Sequence, residues 1–461
     1  MQVTVVGLGH VGLTTAACLA HVGHTVCGID EDLEKLRLIE RGEVPFYEVG
    51  LPELLREGLG SGKMCVTDDF VEATKHAEVA LICVGTPIRE SGEANLKNVE
   101  RVTRNLASSI GRYLILAEKS TVPVGTGDRI RQTVEWTAPQ ADFDVASNPE
   151  FLREGQAVAD TLRPTRIVVG ADSERAHDAM RQLYQPIIDS SGCPYVATDL
   201  TTAELIKLAS NAFLATKISF INAVADVCEA AGADVQTVAS AMGMDPRIGP
   251  EFLRAGIGYG GFCLPKDVAA FRHKAAELGV DLPLLGEVAR VNDARPDRII
   301  SKMRSVLWNL EGKRIAVWGL AFKGGTDDLR ESPALSLIER LAQEGATVVA
   351  YDPVALPALL THAPHIAVAS DPYEAAEEAD AVLICTEWPQ FAGVDLSRLR
   401  TVMSQPVLID GRNLLDPDAV ASAGFIYASV GRPTPQPTRS SGAAPPRGRP
   451  SAPTQGSVEP G

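Results

Sequence analysis

No uninterrupted apolar run in this chain approaches the roughly 20 residues that a membrane-crossing helix needs. A membrane partner is therefore not expected. There is no basic excess either: 43 Lys and Arg stand against 59 Asp and Glu, a formal net charge of -16. That balance argues against a nucleic-acid surface, because binding a polyanion draws on a basic patch that displaces counterions. A small anionic ligand remains open, since a few cations inside a cleft suffice for it. The eight cysteines stand at 18, 27, 65, 83, 193, 228, 263 and 385, and no pair has Cys-x-x-Cys spacing. Neither a zinc site nor a disulfide framework is expected. The N-terminus lacks a basic segment before an apolar core; Gln2-Val3-Thr4-Val5-Val6 alternates as a strand does, so the expected location is the cytoplasm.

With 461 residues the chain exceeds what one core accommodates and should form two or three domains. Up to about residue 199, short apolar strands alternate with helical patterns, the signature of a parallel sheet covered on both faces. The strands are expected at Val3 to Gly7, Thr25 to Asp30, Val79 to Val84, Tyr113 to Ala117 and Arg166 to Gly170. One long helical pattern follows from Thr201 to about Ala231. A second α/β series then has strands at Arg314 to Gly319, Thr347 to Asp352, Ala381 to Cys385 and Pro406 to Asp410. The two series resemble each other: Val26 to Asp30 has a counterpart in Val348 to Asp352, and Leu81 to Pro87 in Leu383 to Pro389. Duplication of a nucleotide-binding fold would explain this. The expected division is 1–199, 200–300 and 311–431, with a Pro/Gly/Ser-rich disordered tail over 432–461. The fold class is thus α/β: two doubly wound, Rossmann-like parallel sheets joined by a long central helix.

Gly7-Leu8-Gly9-His10-Val11-Gly12 follows the first strand and opens a helix expected over Val11 to Val22. In that context the three glycines read as a dinucleotide turn: Gly7 for the sharp bend, Gly9 for approach of the pyrophosphate, Gly12 for close helix–sheet contact. Asp30, ending the second strand, would bind the ribose hydroxyls and repel a 2'-phosphate, favouring NAD over NADP. Cys83 to Pro87 ends a later strand and should line the same crevice.

A second glycine-rich run, Gly256 to Gly261, delivers Cys263 just ahead of a helix expected from Pro265 to Gly279. The helix dipole and the ammonium of Lys266 should favour a thiolate there. A structural cysteine is the plain alternative. Lys207 and Asn211, four apart on the long helix, could jointly hold a developing oxyanion. Spacing alone favours a solvated helix ion pair with Glu204 instead. Thr121 lies at a strand's carboxyl end, where a turn threonine is equally ordinary. Asn148 to Glu154 reads as a helix start with Glu150 and Glu154 on one side, by default serving the dipole. Lys323, with Asp327, Asp328 and Arg330 behind it, would suit an anion or form a charged loop.

In this order the motifs resemble the UDP-glucose/GDP-mannose dehydrogenase family from residue 1 to about 431: Gly7 to Gly12, Pro45-Phe46-Tyr47-Glu48, Gly85-Thr86-Pro87, Ser120-Thr121-Val122-Pro123, Asn148 to Leu152, Ile206 to Asn211, Gly260 to Asp267 and Phe322-Lys323. The resemblance implies a four-electron oxidation of a sugar C6 alcohol to a carboxylate, using two NAD in succession. Cys263 would hold the aldehyde as a thiohemiacetal and then as a thioester. Lys207 and Asn211 would stabilise the oxyanion, Asp267 would handle protons or orient water, and Thr121 with Glu150 would position the hydrolytic water. NAD contacts would fall on Gly7, Gly9, Val11, Gly12, Asp30, Lys35, Thr86, Thr121, Glu154, Lys266 and Arg330. The nucleotide sugar, with UDP-glucose expected and GDP-mannose the alternative, would contact Glu150, Phe151, Leu152, Arg153 and Glu154. It would also meet Lys207, Asn211, Phe252, Leu253, Arg254, Ala255, Gly256, Gly260 and Lys323. No metal is implied. The long helix resembles the family's dimerisation element, so a homodimer or larger homo-oligomer is expected. A two-electron hydroxyacid dehydrogenase accounts for one lobe and a helix lysine, yet leaves the cysteine loop and the second lobe without a purpose.

Overall fold

The apolar strand segments assemble into two sheets in a computed structural model that describes residues 1–433. The first sheet contains β1 (Gln2–Val6), β2 (Thr25–Ile29), β3 (Met64–Thr67), β4 (Val79–Ile82), β5 (Leu114–Glu118), β6 (Phe143–Ser147), β7 (Ile167–Ala171) and β8 (Tyr195–Thr198). They lie in the order β3-β2-β1-β4-β5-β6-β7-β8. The central strands β4 and β5 are buried along their whole length, as strands covered by helices on both faces must be. The second sheet contains β9 (Arg314–Trp318), β10 (Thr347–Tyr351), β11 (Ala367–Val368), β12 (Ala381–Ile384), β13 (Val407–Asp410) and β14 (Ile426–Ser429). Its order, β11-β10-β9-β12-β13-β14, repeats that of the first six strands.

The repeat extends to single hydrogen bonds. Gly7 N donates to the Ile29 carbonyl at 2.7 Å and Gly319 N to the Tyr351 carbonyl at 2.8 Å. Leu8 N donates to Asp30 Oδ2 at 2.8 Å, and Leu320 N to Asp352 Oδ2 at 2.7 Å. Both turn glycines have φ of 91°. The duplication read from the strand sequences is therefore present in the backbone.

Between the sheets runs the helix Leu200–Ala231, capped by Asp199 accepting from Thr202 N at 2.8 Å and stopped by Gly232 in the left-handed region. By length and mean hydropathy, 1.2 over its most apolar window, this helix could cross a membrane. Its buried face nevertheless carries Glu204, Lys207, Asn211, Ser219 and Asn222, which marks the core helix of a globular assembly.

Several expectations need correction. β6 and β7 pair antiparallel, so the first sheet is not wholly parallel. The cause is the segment between them: Asn148 to Glu154 forms no helix, and the only helix before β7 is the short Ala157–Leu162. Side chains take the amides that a helical ladder would need. Glu150 Oε2 accepts from Leu152 N at 2.5 Å, and Glu48 accepts from Gly155 N and Ala157 N, each at 2.8 Å. The first helix spans His10–His21, one residue earlier at each end than expected, and the cysteine helix starts at Cys263 itself. Arg432, assigned to the tail, still pairs with Asp234 at 3.0 Å. Residues 434–461 of the expected tail lie outside the described residues.

Candidate active site

The strand order reverses between β1 and β4, and in an open α/β sheet a ligand crevice lies at the carboxyl ends of such strands. Gly7 to Gly9 leave β1 there and Cys83 to Thr86 leave β4. A Cβ on Gly12 would stand 1.7 Å from the Gly7 carbonyl oxygen, whereas one on Gly9 would meet nothing within 4 Å. Gly9 caps the first helix without any side-chain hydrogen bond, so the amides at that terminus face open space. A cavity of about 360 Å³ runs from there to Asp30 and Lys35, whose ammonium bonds Asp30 Oδ2 at 2.9 Å. A neighbouring cavity of about 180 Å³ shares Gly9, Cys83, Val84 and Gly85 and ends at Cys263. Val11, Thr86, Thr121, Glu154, Lys266 and Arg330 also line it. The two cavities together have the extent, the glycine turn and the acid that an NAD molecule requires.

The thiol is held by a loop with little freedom. A Cβ on Gly260 would stand 2.0 Å from the Glu331 carbonyl oxygen, and Gly261, at φ 79°, would meet the Phe322 ring. Gly256 N donates to Asn222 Oδ1 and Tyr259 N to Asn292 Oδ1, each at 2.8 Å. The central helices and the second lobe thus grip the segment that ends in Cys263. The expected thiolate is not there, however. Burial, reinforced by Glu150 and Asp267, pushes the Cys263 thiol up to about 12, against the opposing fields of Lys207 and Lys266. Lys266 is spent elsewhere: it contacts Asp267 Oδ1 at 2.6 Å and donates to Thr86 Oγ1 at 3.4 Å. The surroundings of the half-buried Cys263 thus favour the thiol over the thiolate.

Around it the long helix supplies Lys207 and Asn211, as their spacing allowed. Lys207 Nζ lies 3.0 Å from Glu150 Oε1, and Asn211 Nδ2 donates to Asp267 Oδ2 at 2.5 Å. Burial works against the charge on Lys207, but Glu150, Asp267 and Cys263 outweigh it and hold the ammonium above its ordinary value. Burial opposes ionisation of Glu150 as well. Lys207, the Leu152 amide and Lys119 overcome that and bring the carboxyl below its ordinary range. The surface ion pair with Glu204 does not form. Glu204 turns away to accept from Gly125 N at 2.6 Å and Gly127 N at 2.7 Å, capping the helix that follows Thr121.

The second lobe closes over Glu154. Lys323 Nζ donates to the Glu154 carbonyl at 2.7 Å, and Arg330 lies 3.5 Å from Glu154 Oε1 while pairing with Asp328. Burial and Asp328 raise the Glu154 carboxyl to about 7. Burial depresses Lys323.

The substrate residues expected from the resemblance fall into separate places. Glu150 and Glu154 face Cys263. Phe151, Leu152 and Arg153 line a cavity of about 320 Å³ on the far side of their loop, and Phe252 to Ala255 line a third, of about 430 Å³, with Arg412 and Asn413. Gly256 packs against the Gly411 carbonyl of the second lobe. Among the described residues no cluster of His, Cys, Asp or Glu could hold a metal ion. Sequence reasoning missed Lys119, Glu118 and Tyr184, which sit behind the site, and misread Glu204. Nothing in their local spacing distinguishes them, because each acts through a partner remote in the chain.

Residues 1–188, 201–294 and 316–417 match, in turn, the NAD binding, central and UDP binding domains of the UDP-glucose/GDP-mannose dehydrogenase family. A UDP-glucose 6-dehydrogenase of Rhizobium meliloti (strain 1021) is 44% identical over 437 residues, covering 94% of this chain and 100% of that protein. One from Bacillus subtilis (strain 168) is 42% identical over 434 residues, covering 94% and 93%. The solved structure of a UDP-glucose dehydrogenase from Pyrobaculum islandicum is 36% identical with a TM-score of 0.87, covering 93% of this chain and 97% of its own. The chain belongs to the UDP-glucose/GDP-mannose dehydrogenase family and is an NAD-dependent oxidoreductase.

Proposed function

We propose that the protein oxidises the C6 alcohol of UDP-glucose to the carboxylate of UDP-glucuronate, with two NAD used in succession and Cys263 as the covalent carrier. The observation that carries this reading is the position of Cys263, in the wall of the cavity that adjoins the dinucleotide turn and within the fields of Glu150 and Lys207. The Gly7–Gly12 turn, Asp30 and the residues around Thr86 would hold NAD, whose chemistry would supply the hydride acceptor for each oxidation. The alcohol loses a hydride and a proton to give the aldehyde. The Cys263 sulfur then adds to the aldehyde carbon as its proton passes to Asp267, and the oxyanion formed from the carbonyl oxygen is met by Lys207 and Asn211. Loss of the second hydride from this thiohemiacetal leaves a thioester. Water, positioned by Thr121 and Glu150 with Asp267 assisting, adds to the carbonyl and the sulfur departs.

A thiol raised to about 12 fits this order of events. It stays protonated until an electrophile arrives and Lys207 can neutralise the product. The carboxylates near Lys207 keep that ammonium charged, as an oxyanion partner must be. Titration of purified protein with UDP-glucose should yield two NADH per sugar consumed, and Cys263→Ser should bind NAD normally yet release no UDP-glucuronate. A ratio near one, or full acid production by the serine variant, sinks the reading. UDP-galactose, GDP-mannose and UDP-N-acetylmannosamine in the same assay decide the sugar.

The exposed residues Phe213, Phe220 and Val227 recur every seven positions along the long helix, 64%, 52% and 66% accessible. They form one apolar face, which we read as the contact between two copies of the chain. Sedimentation velocity of the purified protein reads that state directly, and a monomer removes it. The excess of Asp and Glu over Lys and Arg and the polar residues on the long helix's buried face fit a cytoplasmic enzyme.

A further inference from the structure

Two buried cations favour the carboxylate of Glu150, and only one of them belongs to the cluster around Cys263. Lys207 meets it at 3.0 Å. The other is Lys119, on the turn between β5 and Ser120, with 7% of its surface exposed. A lysine this deep ordinarily finds a carboxylate. Among the described residues Lys119 bonds only neutral oxygens, Asn148 Oδ1 at 3.4 Å and the Tyr184 hydroxyl at 3.3 Å. Those two are tied together and to the sheet: the Tyr184 hydroxyl donates to Asn148 Oδ1, and Asn148 Nδ2 donates to the Val168 carbonyl of β7 at 2.9 Å. Lys119, Asn148, Glu150 and Tyr184 all line the cavity of about 320 Å³ behind the loop. Lys119 is not among the residues lining the Cys263 cavity, whereas Glu150 borders both.

We propose that Lys119 is a positioning residue for thioester hydrolysis, its ammonium fixed by Asn148 and Tyr184 so that Glu150 stays ionised while Lys207 is engaged with the reacting oxygen. The proposal rests on the thioester reading above. In hydrolysis, water adds to the thioester carbonyl carbon and gives a proton to Glu150. The C–S bond then breaks, its electron pair returning to the Cys263 sulfur, which takes up that proton, and the new acid ionises. Glu150 can accept the proton only if it enters the step as a carboxylate. In a water-poor site a carboxylate whose one partner has turned to the substrate takes up a proton early. A second cation behind it prevents that.

The charged and titratable groups around Glu150 come from every element packed on it. Lys207 and Asp267 belong to two helices, Cys83 and Cys263 to the crevice, and Glu154, Lys266 and Arg330 to the far wall of the Cys263 cavity. On the other side stand Arg153, Asp160, Arg166, Tyr184 and Glu251. Arg153 is paired with Asp160, and Arg166 lies over the Phe151 ring at 3.7 Å, so neither replaces Lys119.

The test is the pH dependence of kcat with saturating UDP-glucose and NAD, together with the pre-steady-state NADH burst. In Lys119→Met the acid limb of kcat should move up by on the order of one pH unit, and kcat near neutrality should fall about tenfold. Both kcat/KM values should stay within about threefold while KM falls with kcat, and a burst of about two NADH per site should appear as hydrolysis becomes limiting. Lys119→Arg, which keeps the charge, should restore the wild-type limb. Should Lys119→Met not fold, Lys119→Gln carries the same expectation. An unmoved acid limb in the neutral variants overturns the proposal, as does an equal shift in Lys119→Arg. If wild-type protein makes only one NADH per sugar, the thioester reading itself has failed, an outcome distinct from a normal ratio of two with an indifferent Lys119.

Discussion

Glu118 shows how a single carboxyl behind the crevice sets the protein's response to pH. Its Oε1 accepts from Ser120 N at 2.8 Å and shapes the turn before Thr121, while Oε2 is buried without a hydrogen-bond partner among the described residues. Burial, with a smaller contribution from Glu204, raises the group from 4.5 to about 8. Below the lower value both folded and unfolded chains carry the proton, so the group does not affect stability. Between about 4.5 and about 8 the folded chain keeps a proton that the unfolded chain has released. Stability therefore falls as pH rises through that window, at up to about 1.4 kcal/mol per unit. Glu154 and Glu204, both raised to about 7 by burial, act in the same direction. The ligand-free protein should accordingly melt lower at about pH 8 than at about pH 5. Glu118→Gln, which cannot ionise, should recover several degrees at the higher pH and none at the lower. Equal changes in Tm at both values would show that packing, not charge, governs the position.

At the level of elements, the strand segments read from hydrophobic alternation lie within one or two residues of those in the fold, because strands buried on both faces leave an unbroken apolar run in sequence. The dinucleotide turn was equally legible, since its glycines act on their immediate neighbours. What stayed hidden depends on contacts remote in the chain. The segment after Asn148 looks like a helix start until Glu48, about a hundred positions earlier, takes its amides. Lys207 looks like half of an exposed ion pair until the fold delivers Glu150. The thiol of Cys263 looks activated by its helix until burial is counted. The turn itself separates two glycine roles that sequence can name but not weigh. Gly9→Ala should fold with nearly unchanged Tm, since its Cβ meets nothing within 4 Å, while raising KM for NAD by about tenfold if the pyrophosphate packs there. Gly12→Ala drives a Cβ to 1.7 Å from the Gly7 carbonyl oxygen, so it should lower Tm and weaken NAD together. If both variants behave alike in a melt and an NAD titration, the assignment of space to ligand and contact to fold is wrong.

Across the whole molecule the repeated topology raises the question of why two Rossmann-like lobes serve a reaction proposed to use two NAD. Two simultaneous sites and one site used twice are both arithmetically possible. The second lobe repeats the strand order and the acid after the second strand, but it matches the family's UDP binding domain and not its NAD binding domain. A Cβ on Gly319 would stand 1.9 Å from the Thr386 hydroxyl, as one on Gly7 would stand 2.8 Å from the Cys83 carbonyl oxygen. Asp352, at 1% exposure, spends both carboxylate oxygens on the amides of Leu320, Val354 and Ala355. Asp30 is bound in a similar way, yet it still lines an open cavity with Gly9. The second lobe thus retains the acid as a backbone clamp within a domain of the UDP binding type. What it contributes to the crevice is Arg330, from outside the first lobe. Equilibrium dialysis should therefore find one NAD per chain. Asp30→Ala should abolish that binding, whereas Asp352→Ala should lower Tm by removing the clamp and leave the NAD stoichiometry at one. A second NAD that survives Asp30→Ala would require an open second crevice and overturn the single-site account.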